Sequence, residues 1–128
     1  ISPVVDVLNY GERIKVSGLN LLWSPGNDLV SSSALAMSGC QIVLFTTGRG
    51  TPFGSFVPTM KITSNSQLYK KKANWMDFNA GSLLESTSMN ELLQIFINDI
   101  IDVANGQLLK HEKAKSKEIA IFKSGVTL

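Results

Sequence analysis

Residues 39–62 read GCQIVLFTTGRGTPFGSFVPTMKI: two apolar, β-prone runs joined by a loop of threonines, glycines, two prolines and one arginine. The first run, Gln41 to Thr46, sets Ile42, Val43, Leu44 and Phe45 side by side without alternation. A strand with one wet face alternates apolar and polar residues, whereas an unbroken apolar run fits a strand covered on both faces, as in a parallel sheet. The second run, interrupted by Pro58, supplies a strand over 57–63. Between them stands Arg49, flanked by Gly48 and Gly50, one of two arginines in a chain that otherwise takes its positive charge from lysine.

On the N-terminal side, residues 3–18 mix polar and apolar types without a clear period, so 1–18 read as a leading segment. Leu19 to Trp23 is a short strand closed by Ser24-Pro25-Gly26. Asn27 or Asp28 then caps a helix running to Ser38, with Leu29, Leu35 and Ala36 inward and Gly39 as its stop. On the C-terminal side, 65–72 form a short amphipathic helix, and 74–84 a packed loop around Trp75, Met76 and Phe78. The clearest helix is Asn90 to Ala104: Leu92/Leu93, Phe96/Ile97, Ile100/Ile101 and Val103/Ala104 recur at three- and four-residue steps. Ser88 with Glu91 is a capping-box pattern, and Gly106 ends the helix. Lys110 to Glu118 reads as a solvated connection, Ile119 to Phe122 as a last strand, and 124–128 as a tail. Strands alternating with helices give an α/β fold in a single domain: a small, mainly parallel sheet with helices packed on it, a Rossmann-like layer. Its core is 19–123, with strands 19–23, 41–46, 57–63 and 119–122 in one sheet and helix 90–104 on a face.

The bulk properties fit that size. A chain of 128 residues with 44% hydrophobic content can close one core. A formal charge of +2 gives no argument for nucleic acid, and no apolar stretch approaches the ~20 residues of a membrane span. Neither is expected as a partner. A lone cysteine, Cys40, builds no disulfide framework and points to a reducing cytoplasm. The chain opens Ile1-Ser2-Pro3 and is expected to be a piece of a longer protein.

The glycines at 48, 50 and 54 have the spacing G-x-G-x-x-x-G, one residue longer than a dinucleotide fingerprint. No helix opens on the third of them, and no P-loop pattern occurs, so nucleotide binding is not expected. The bland reading of the loop is a turn. Against it stand Thr46, Thr47 and Thr51 around Arg49, which with the backbone N–H groups of Gly48 and Gly50 offer hydroxyls, amide donors and a planar fork suited to a carboxylate or phosphate. Pro25-Gly26-Asn27-Asp28 is a helix cap on spacing alone. Ligands of open α/β sheets sit beyond the carboxyl ends of strands, and on that rule this turn and the arginine loop would lie side by side, with Asp28 as base, metal ligand or hydroxyl acceptor. His111, in its charged tract, reads as an exposed surface histidine, Cys40 as a core thiol, and the lysines at 70–72 as solubilising a short helix. With one histidine and one cysteine, no zinc-type site is expected.

The strings PVVDVLNYGERI, GLNLLWSPGNDLV, LFTTGRGTPFGSFVPTMKI, WMDFNAG and EIAIFKSGVTL, in this order and over nearly the whole chain, resemble the C-terminal region of the altronate and galactarate dehydratase family. The tract around His111 and the ending are more similar to the altronate branch. The resemblance implies a hydro-lyase that removes water from a sugar acid to give a 2-keto-3-deoxy sugar acid in hexuronate breakdown. It also implies a divalent metal such as Fe2+ in the full-length enzyme, upstream domains in the same chain, and the option of a homo-oligomer. None of the metal is expected to be held by this segment alone. Within the matching motifs, residue chemistry makes Arg49 a carboxylate clamp, with Thr46, Thr47, Gly48, Gly50, Thr51 and Asn27 for other substrate atoms and Asp28 for a proton or metal role. The alternatives are a galactarate dehydratase, or a structural or subunit-contact domain in which the glycine loop is only a turn.

Overall fold

The computed structural model describes residues 2–123. Its central sheet forms around the unbroken apolar run. β3 (Val43–Thr47) lies parallel to β4 (Thr59–Thr63), with Val43 opposite Thr59 and Thr47 opposite Thr63. β5 (Phe78–Asn79) adds a short third strand, parallel to β4. β4, in the middle, is buried along its whole length. One face carries Met60, Ile62 and Phe78, and α3 (Met89–Ala104) packs there through Leu92, Phe96, Ile100 and Val103. The other face carries Phe45, Thr59, Lys61 and Thr63. It is covered by residues 48–58, the crossover from β3 to β4, whose Phe53 meets Phe45 edge-on at 5.2 Å between centroids. A crossover between parallel strands is usually helical; this one is an irregular strap laid across the sheet.

The caps fall where the sequence places them. Asn27 Oδ1 accepts from the Val30 N–H at the start of α1 (Asp28–Ser38), and Gly39 closes that helix at φ 114°, a left-handed conformation that glycine adopts without a Cβ clash. α2 (Ser66–Lys71) is capped by Asn65, and Ser88 accepts from the Glu91 N–H at the head of α3. The loop expected over 74–84 contains β5 and a single 3-10 turn, Ala80–Leu84.

Three expectations are corrected. β2 (Leu19–Leu22) does not join the central sheet; it pairs in parallel with β1 (Val4–Leu8), inside the leading segment, and makes a second, two-stranded sheet. β1 shows no clean period because Val4, Val5 and Val7 are all exposed and only Leu8, at its end, is buried, so apolar residues fall on both faces. Residues 119–122 form no strand. They run as an irregular strap in which the Ala120 N–H donates to Ser33 Oγ and the Phe122 N–H to Tyr10 Oη, and Phe122 packs against Tyr10 and Trp23. The tract 110–118 is no solvated connection: it holds α4 (Lys110–Lys113) and buries His111, at 2% exposure. The reason is a carboxylate stitch. Asp77 accepts from the Lys61 N–H at 2.8 Å and from the Lys110 N–H at 3.0 Å, and Lys110 Nζ donates to the Met76 carbonyl. The tail at 124–128 lies outside the described residues.

Candidate functional site

At the carboxyl end of β3 the chain turns sharply. Thr47 Oγ1 accepts from the Gly50 N–H at 2.9 Å and from the Arg49 N–H at 3.3 Å. Gly50 takes φ 76°, which a side chain would resist. Lys72 Nζ, stacked over the Trp75 ring, donates to the Arg49 carbonyl at 2.9 Å. The turn therefore spends its backbone polar groups on itself and on Lys72, and sends the Arg49 side chain outward. Arg49 is exposed, and among the described residues its guanidinium has no hydrogen-bond or ion-pair partner. It borders an open depression of about 480 Å³ lined also by Gly48, Asn65, Gln67, Leu68, Lys71 and Lys72. Asn65 and α2 follow the carboxyl end of β4, as Arg49 follows that of β3, so the depression lies at the edge where parallel sheets bind ligands. Three cationic residues and two amides line it, with no acidic residue. That chemistry suits an anion carrying further hydrogen-bonding groups.

Behind the turn, the crossover is held by buried polar groups. Lys61 is 0% exposed; its Nζ donates to the carbonyls of Phe53 at 2.7 Å and Pro52 at 3.3 Å. Burial pushes its proton affinity below the ordinary lysine range, while the Asp77 and Glu118 carboxylates push it back up. His111 Nε2 accepts from the Thr59 N–H at 3.0 Å, and its Nδ1 lies 2.9 Å from the Ser116 carbonyl. A carbonyl can only accept, so Nδ1 carries the proton. The expectation of an exposed His111 is thus corrected: the imidazole fills the space that the missing Cβ of Gly54 leaves.

The residues singled out in the sequence separate into groups. Gly48 and Arg49 line the depression; Thr47 and Gly50 build the turn; Thr51 is half-buried beside Pro52. Thr46 points to the opposite face, into an apolar groove of about 280 Å³ with Ile62, Phe78, Leu93 and Phe96. Asn27 is a helix cap, and Asp28 is the exposed first residue of α1, outside the depression's lining. The two turns do not share one edge because β2 and β3 belong to different sheets. Cys40 is half-buried. Asn65, Gln67 and Lys71 escaped the sequence reading; the available signal was their position just after the strand paired with β3. Among the described residues no three His, Cys, Asp or Glu side chains gather into a group able to hold a metal ion, so the donor set does not fit a resident cation.

Comparison with known proteins settles the family. The model of the family "D-galactarate/Altronate dehydratase, C-terminal" matches residues 1–127. The chain belongs to that family. The altronate dehydratase of Bacillus subtilis (strain 168) is 64% identical over 129 residues, covering 100% of this chain and 26% of the relative. The altronate dehydratase of Escherichia coli (strain K12) is 58% identical over 127 residues, covering 99% of this chain and 26% of the relative. The galactarate dehydratase (L-threo-forming) of the same organism is more distant, 34% identical over 108 residues, with 83% and 21% covered. The chain spans about a quarter of the length of these relatives and corresponds to the family's C-terminal region.

Proposed function

We propose that this segment supplies the carboxylate-binding wall of an altronate dehydratase, a hydro-lyase that converts the sugar acid to a 2-keto-3-deoxy sugar acid in hexuronate catabolism. The observation that carries the reading is Arg49: an exposed guanidinium, unpaired among the described residues, on a turn closed by Thr47, at the carboxyl edge of a parallel sheet and bordering a depression without acidic groups. Dehydration takes the proton next to the carboxylate and expels the neighbouring hydroxyl, so negative charge builds on the carboxylate oxygens. A bidentate guanidinium binds those oxygens in the substrate and tightens on them as charge grows. Asn65, Gln67 and Lys71 are placed to hold the chain hydroxyls, and Thr51 is close enough in sequence to assist. Asp28 keeps its assignment as a proton or metal residue, acting from the head of α1 with groups that the rest of the full-length chain brings. A divalent ion, ferrous iron by expectation, goes with those upstream domains, since the described residues provide no ligand set. We place the enzyme in the cytoplasm on the strength of its lone Cys40; among the described residues no helix is long and apolar enough to cross a membrane.

The identities of 64% and 58% against 34% favour altronate over galactarate as substrate. A second reading, a subunit-contact domain, is favoured by the exposed apolar row Met89, Leu93, Ile97 and Ile101 on α3, and is compatible with the first. The test is an assay of the full-length protein on altronate and galactarate, with and without ferrous ion. Faster turnover of altronate is expected; inactivity on both acids would refute the proposal.

A further inference from the structure

The crossover 48–58 is fastened at three places by side chains from elsewhere in the fold. Lys72 Nζ holds the carbonyl of Arg49. Lys61 Nζ, from the middle of β4, holds the carbonyls of Pro52 and Phe53. α4 and the tract after it close the far end: the His111 ring sits against Gly54, its Nε2 takes the Thr59 N–H, and the Glu118 N–H donates to the Gly54 carbonyl at 2.8 Å. Ser55 and Thr59 join their hydroxyls at 2.8 Å inside this end. Placing a lysine amine at 0% exposure is costly, and an apolar side chain on β4 would pack against Phe45 and Phe53 without that cost. What the lysine supplies, and an apolar residue cannot, is a fixed height and register for a strap that has no helix or strand of its own. Arg49 is the one charged side chain of the crossover, and the fastening leaves it exposed.

We propose that Lys61 and His111 are positioning residues: they hold the crossover in the shape that presents Arg49 to the depression. The consequence for catalysis rests on the carboxylate reading of Arg49; the clamp itself does not. A catalytic group held within a fraction of an ångström by packed partners loses much of its effect when those partners go, even though it is still present.

The experiment uses the full-length protein and reads two things. The first is the initial rate of tryptic cleavage at the Arg49–Gly50 bond, followed by mass spectrometry, which reports how often the turn opens. The second is kcat and KM for altronate. Lys61→Met should speed the cut by about tenfold or more and raise KM. In an Arg49→Ala background the same change should leave kcat/KM within about twofold, because its effect passes through Arg49. Should Lys61→Met fold poorly, His111 gives a second pair. His111→Asn cannot reach the Thr59 N–H and should speed the cut, whereas His111→Gln retains an acceptor at that reach and should stay near wild type. Unchanged cleavage in both Lys61→Met and His111→Asn overturns the clamp. So does a Lys61→Met loss of kcat/KM that persists undiminished without Arg49, which marks a general structural role. Normal catalysis by Arg49→Ala together with a faster cut in Lys61→Met supports the clamp and removes only the carboxylate reading.

Discussion

A lysine in the middle of β4 sits among groups that pull its proton affinity both ways: burial lowers it, and the Asp77 and Glu118 carboxylates raise it, with burial the largest. The sign of the consequence is definite. The unfolded chain keeps the Lys61 proton up to the ordinary value of 10.5, and the folded chain gives it up at lower pH. Between those two values the unfolded state binds more protons, so folding stability due to this group rises with pH. Denaturant titrations of wild type and Lys61→Met across the alkaline range should therefore show the wild type gaining on the variant as pH rises toward 10.5. A constant difference would mean Lys61 titrates normally. Nothing in TMKIT disclosed this burial. Alternation of Met60 and Ile62 with Thr59, Lys61 and Thr63 reads as one dry and one wet face, and only the strap laid over the second face makes it dry. His111 was misleading for a related reason: four lysines and two glutamates within 110–118 dominate the tract's composition, while Leu109 and His111 do the packing.

At the scale of elements, caps and periodicity were legible and pairing was not. α1 and α3 start and stop on local chemistry that the sequence states outright: Asn27 and Gly39 for one, Ser88 for the other. The partner of β2 is the element just before it, across residues 9–18, but β1 carries no alternation to announce itself. α3 bears two apolar rows. Leu92, Phe96, Ile100 and Val103 face the sheet, so Leu92→Ala should cost about 2–4 kcal/mol in equilibrium unfolding. The row of Met89, Leu93, Ile97 and Ile101 is exposed, and Leu93→Gln in the isolated segment should change stability by less than about 0.5 kcal/mol. Equal costs for the two substitutions would contradict this division of the helix. Near the C-terminal end of α3, burial and then Asp102 raise the proton affinity of the Asp99 carboxyl. A raised carboxyl affinity favours the fold at low pH and is lost as pH climbs through the folded value. Asp99→Asn should raise the melting temperature modestly at neutral pH and lose that advantage in acid.

Among the described residues, apolar side chains stand open at several places. Val7, Leu21 and Trp23 are over half exposed on and beside the two-stranded sheet, α3 offers its second row, and the groove by Thr46 is apolar. Contiguous patches of this kind mark interfaces. The curated relatives that the chain matches are about four times its length, so in a full-length chain of that kind the rest of the protein is available to cover these faces. Purified residues 1–128 should consequently fold, bind an apolar dye or self-associate, and fail to dehydrate altronate; measurable turnover by the segment alone would contradict the division of labour. The central claim, that Arg49 grips the substrate carboxylate, is tested most directly by kcat/KM for altronate in full-length wild type and Arg49→Lys. Lysine keeps the charge and loses the fork, so a loss of roughly 1.5–3 kcal/mol, or about one to two powers of ten in kcat/KM, is expected with the melting temperature unchanged. Unchanged kcat/KM, or a fall matched by a large drop in melting temperature, would contradict it.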